Sequence, residues 1–93
     1  MRFEWDEEKA DENLTKHGVS FSEAAETFAD DGAVEYFDAE HSTMDEKRYA
    51  RVALSSSRLL FVVYTERGGA VRIIHARTPS KRMREEYEEQ NQS

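Results

Sequence analysis

With 93 residues, 38% of them hydrophobic, the chain has room for one small domain with a single modest core, which excludes a second catalytic domain. It contains no cysteine, so disulfides and thiolate metal sites are excluded, and its longest purely apolar run, Leu59 to Val63, is far too short to span a bilayer. The net charge of -7 argues by itself against a polyanionic partner, yet residues 1–46 carry 3 basic and 15 acidic side chains, a balance of -12, while residues 47–93 carry 10 basic and 5 acidic, a balance of +5.

In chain order, RFEW (2–5) is a short alternation that opens a sheet with Phe3 and Trp5 on one face. Asp6 then serves as an N-cap, Glu7 and Glu8 occupy a first turn that favours carboxylates, and the helix runs through Leu14 and Lys16 to a stop at Gly18. Ala10 and Leu14, four apart, predict a narrow buried stripe. Ser20 and Glu23 have capping-box spacing, with Val19 as a staple residue, and Phe21, Ala24, Ala25 and Phe28 follow at helical spacing. AVEYF (33–37) has the composition of a strand, and DAEHSTMDE is a polar connection.

Three strand-like runs come next, Lys47 to Ser55, Arg58 to Glu66 and Ala70 to Arg77, joined by links short enough for an antiparallel meander. RLLFVVYTE is apolar on both faces and is expected at the centre of the sheet. Pro79 suits the first turn of a last helix, SKRMREEYEEQ. The whole predicts one α+β domain over residues 1–93, with two N-terminal helices and a C-terminal helix packed on a mostly antiparallel sheet of four or five strands. The N-terminus MRFEWDEEK lacks the basic-then-apolar order of a signal peptide, so a soluble, cytoplasmic protein with no membrane attachment is expected.

The cations concentrate in the second half, where Glu66 is the one acid between residues 47 and 84. Within it, VRIIHARTPSKR (71–82) sets His75 and Arg77 at the end of an apolar run. Strand parity places Ile73, His75 and Arg77 on one face, with Arg72, Ile74 and Ala76 on the other. The asymmetry points either to a polyanion partner or to a charge match with the molecule's own acidic helices.

The segments FEWDEEKADENLTKHGVSFSEAAETF, LLFVVYTERGG and RIIHAR, with the closing EEYEE, resemble the BrnT family of bacterial type II toxins, whose fold is RelE-like. The helix-KHGVSF-helix segment is the most specific part of a resemblance that covers residues 2–89. It implies a ribonuclease that cleaves RNA and inhibits translation until a cognate antitoxin binds it, with DNA contacted only through the antitoxin. Relatives often carry serine at the position of His75, so the resemblance also admits a catalytically weakened relative that acts as a protein-binding module.

Metal-free RNA cleavage through the 2′-hydroxyl needs a base, an acid for the leaving oxygen, and cations for the charge developing on the phosphoryl group. The resemblance makes Arg77 the first choice among cations, against a surface salt bridge to the last helix. His75 beside it is either an acid-base group or a half-buried structural imidazole. Arg67 in the YTERGG turn and Arg51 in RYARVALS are further candidates, the latter on the strand face with Tyr49 and expected to line the same cleft as Arg77. Tyr64 either stacks on a base or belongs to the core. Lys16 and His17 are read either as RNA-binding residues or as cations suited to a helix C-terminus. His41 has no second His or Cys at ligand spacing, so neither a metal nor a cofactor is expected.

Overall fold

The computed structural model describes residues 1–92. Asp6 caps the first helix by accepting hydrogen bonds from the amides of Glu8 and Lys9, and Gly18 closes it in the left-handed region at φ 69°, where a Cβ is disfavoured. This helix, α1, spans Glu7–His17. Ser20 caps α2 (Phe21–Glu26) by accepting from the Glu23 amide, and a 3-10 turn, Thr27–Ala29, extends it. The reciprocal half of the expected capping box does not form, because the Glu23 carboxylate is held by Arg58 at 2.8 and 3.0 Å.

The strands are β1 (Arg2–Glu4), β2 (Val34–Asp38), β3 (Arg48–Leu54), β4 (Leu59–Arg67) and β5 (Ala70–Arg77), followed by α3 (Lys81–Gln90). They form one sheet in the order β1-β5-β4-β3-β2. β1 runs parallel to β5 and every other pair is antiparallel, so β4 is central as its two-sided hydrophobicity predicts. Among the described residues, no helix is long and apolar enough to cross a membrane.

Helices α1 and α2 pack against β5 on one side of the sheet. The core there joins Val19, Phe21 and Ala24 to Leu60, Val62, Tyr64, Val71, Ile73 and Ala76. Complete burial of Phe21, Leu60 and Ile73 contributes roughly 1.5–3 kcal/mol for each side chain. One expectation fails in α1: Leu14 is 51% exposed, and the buried residue of that helix is Asn13. Helix α3 lies against β2 and β3, starts one residue later than expected with Ser80 as its N-cap, and buries none of its residues fully. Polar contacts therefore anchor it, chiefly Tyr87 Oη donating to Asp30 Oδ2 at 2.7 Å and Tyr36 Oη donating to Glu86 at 3.3 Å.

Candidate functional site

The β4–β5 ladder contains a bulge that decides which side chains can meet. Tyr64 pairs with Ile73 and the next pair is Val63 with His75, so Ile74 is an extra residue in β5. Cross-strand partners share a face. Ile73 therefore joins Tyr64 in the helix-packed core, while His75 and Arg77 follow Val63 and Phe61 to the opposite face. Simple parity correctly pairs His75 with Arg77 and misplaces Ile73, because it takes no account of the inserted residue.

Asn13 of α1 bonds the Ala76 backbone at the outer edge of β5, so the C-terminal end of α1 meets His75 at that open edge, not across a face of the sheet. The rings of His17 and His75 meet edge to face, with centroids 4.8 Å apart and planes at 89°. Lys9, Glu12, Lys16 and His17 from α1 line a shallow cleft with Ile74 and His75 from β5. Burial, reinforced by the neighbouring charges of His17, Arg77 and Lys16, holds the His75 imidazole below its ordinary pKa. A neutral imidazole among cations can accept a proton at neutral pH, and the surrounding charges suit a phosphate.

Arg77 lies with its guanidinium carbon 4.4 Å from the centroid of the Phe61 ring and donates one hydrogen bond, to the Thr78 carbonyl. The salt bridge considered for it does not form among the described residues, because Glu85 pairs with Lys81 and Glu86 with Arg82 along α3. Among the described residues its charge is thus uncommitted to any carboxylate, and it stands two residues along β5 from His75, near enough to act on that imidazole.

The other candidates lie elsewhere. Arg51 pairs with Val62 and Arg77 with Phe61, which puts the two arginines on opposite faces of the sheet. Arg51 is 7% exposed, stacks 4.3 Å over Phe28 and sits 3.8 Å from Glu35, so it lines no cleft with Arg77. Arg67 stands at the turn end of β4, six residues from Phe61, or about 20 Å along the strand. Tyr64 is 5% exposed, packed against Phe28 and Tyr49, with its hydroxyl donating to Glu35 at 2.8 Å. Burial removes it as a base-stacking platform, and burial together with Glu35 pushes its phenol pKa up.

Two residues that support the cleft are not among the candidates that the sequence marks. Asn13 bonds the backbone of Ala76, between His75 and Arg77. Arg58 reaches from the β3–β4 turn to donate to the Gly18 carbonyl at 2.9 Å, just past His17. The available signal for Asn13 was its place four residues before His17 on a helix with few apolar positions; for Arg58 the sequence offered none.

A search of curated proteins finds no match to the chain. A family model does match, over residues 5–82, and that span contains Asn13, Lys16, His17, Arg58, His75 and Arg77. The model is that of BrnT, the ribonuclease toxin of type II toxin-antitoxin systems, and the chain belongs to this family.

Proposed function

We propose that this chain cleaves RNA without a metal, at the cleft where α1 meets the end of β5, and that a cognate antitoxin silences it. The observation that carries this reading is the edge-to-face contact of His17 and His75, flanked by Lys16 and Arg77. Two imidazoles side by side supply the acid and base that cleavage through the 2′-hydroxyl requires.

His75, kept neutral by burial and by the cations around it, takes the proton from the 2′-hydroxyl. The oxygen attacks the adjacent phosphorus, the bond to the 5′-oxygen breaks, and His17 gives that oxygen its proton. The products are a 2′,3′-cyclic phosphate and a 5′-hydroxyl. Arg77 and Lys16 stabilise the charge that grows on the phosphoryl oxygens, a role in which preorganised donors contribute most when water is excluded. Family membership supports an RNA target and an antitoxin partner.

Expression in a bacterial host tests the reading. Growth arrest relieved by co-expression of a small antitoxin encoded beside this gene, and lost in His75→Ala and Arg77→Ala at equal folded protein, is the expected result. Arrest that persists in both variants would place the toxic activity elsewhere on the molecule.

A further inference from the structure

Strand β1 covers the outer edge of β5 only along Ala70–Arg72. Beyond it, at Ala76, the edge would present an unpaired N–H and C=O to the interior. The Asn13 side chain takes the place of the missing strand. Its Oδ1 accepts from the Ala76 amide at 3.2 Å, and its Nδ2 donates to the Ala76 carbonyl at 2.8 Å and to the Val19 carbonyl at 2.9 Å. The residue is 6% exposed, so these bonds exchange with no water and their loss would leave buried polar groups unsatisfied.

The placement bears on the cleft from both sides. Ala76 lies between His75 and Arg77 on β5. On α1, Asn13 lies one turn before His17 and on the same face, since residues four apart are helix neighbours. The bond to Val19 also ties down the far side of the Lys16–Gly18 turn. An apolar side chain at position 13 could fill the volume, but it would leave α1 free to slide. A slip of one residue moves a helix by about 1.5 Å and turns its side chains by about 100°.

We propose that Asn13 is the positioning residue of this cleft: its amide locks α1 in register on β5 and so holds the His17 ring against the His75 ring. The proposal rests on the cleavage role assigned above to that pair only for its effect on rate. Its structural part stands by itself.

The test uses the full chain and two variants. Asn13→Asp is isosteric and removes both donated bonds. Asn13→Gln keeps the donors and the acceptor on a side chain one methylene longer, so it satisfies Ala76 while pushing α1 outward. NMR reads the proton–proton contact between the two imidazole rings and the titration of His75, whose surroundings are His17, Lys16, Lys9 and Glu12 of α1 and Arg77 of β5, with apolar Val63 opposite on β4. In Asn13→Gln, and in Asn13→Asp where it folds, the inter-ring contact weakens and His75 titrates closer to an ordinary imidazole. With a labelled single-stranded RNA, kcat falls at least tenfold and KM stays within twofold, since misplacement of about 1 Å can cost a hundredfold. A folded Asn13→Gln with both the ring contact and the His75 titration of the wild type overturns the proposal. If ring contact and titration move and cleavage does not, the clamp stands and the catalytic role of the histidine pair fails.

Discussion

Replacement of Arg77 by alanine removes a guanidinium that has few contacts in the folded protein. Its stacking on Phe61 is worth about 0.5–1 kcal/mol at a partly exposed position, and its one exposed hydrogen bond to Thr78 contributes roughly 0.5 kcal/mol more. No ion pair to a carboxylate is lost among the described residues. The stability cost is therefore about 1–1.5 kcal/mol, or a fall in Tm of several degrees for a domain of this size. The catalytic cost is larger. Loss of one preorganised donor to a developing oxyanion lowers kcat by about 10²–10³, equivalent to about 2.7–4 kcal/mol. Urea unfolding and steady-state cleavage of a labelled RNA, measured on the same preparation, separate the two effects. Cleavage at the wild-type rate refutes the assignment, and a stability loss above about 3 kcal/mol refutes the view that Arg77 is free for substrate.

Three further outcomes follow from the same geometry. Tyr87→Phe deletes the 2.7 Å bond to Asp30, whose carboxyl resists burial through the Leu54 amide, the Tyr87 hydroxyl and the Gly32 amide and keeps a lowered pKa; hydrogen exchange across α3 should quicken about tenfold for a loss of about 1.4 kcal/mol, and unchanged protection would show that other contacts hold the helix. Because the folded pKa of His75 is depressed, the unfolded chain binds its proton more readily, so this residue's contribution is intact above the ordinary imidazole range and is lost as pH falls through the folded value. Unfolding curves should show His75→Ala losing less stability than wild type over that acid window, and parallel losses would contradict the burial argument. Gly18→Ala places a Cβ at φ 69° and should cost about 1–2 kcal/mol in thermal melts, despite the open space around it; an unchanged Tm would mean that the turn relaxes.

Local chemistry was readable before any tertiary contact was known. Asp6, Gly18 and Ser20 mark helix ends through backbone groups within four residues of themselves, and the observed caps use those groups. The meander was equally legible, since short links leave β3, β4 and β5 little choice but to pair in order. What remained hidden depends on distant partners. The bulge at Ile74 changes the face on which Ile73 lies relative to His75, and no composition signal announces it. Arg51 reads from the sequence as a residue lining a cleft with Arg77, yet it lies on the other face of the sheet, covered by Phe28 of the 3-10 turn. Asn13 is one polar residue among many on α1, and only the shortness of β1 gives it an edge to complete. The candidate cleft was thus half visible: His75 and Arg77 adjoin in sequence, whereas Lys16 and His17 reach them only through the docking of α1 on β5.

The most direct test of the account is cleavage of a labelled single-stranded RNA by the purified protein in EDTA, beside His17→Ala, His75→Ala and an RNA with 2′-deoxy sugars at the cut positions. The account predicts EDTA-resistant cleavage to 2′,3′-cyclic phosphate ends by the wild type, with each histidine variant and the deoxy substrate falling by at least two orders of magnitude. Cleavage that EDTA abolishes, or that survives loss of both imidazoles, would contradict it.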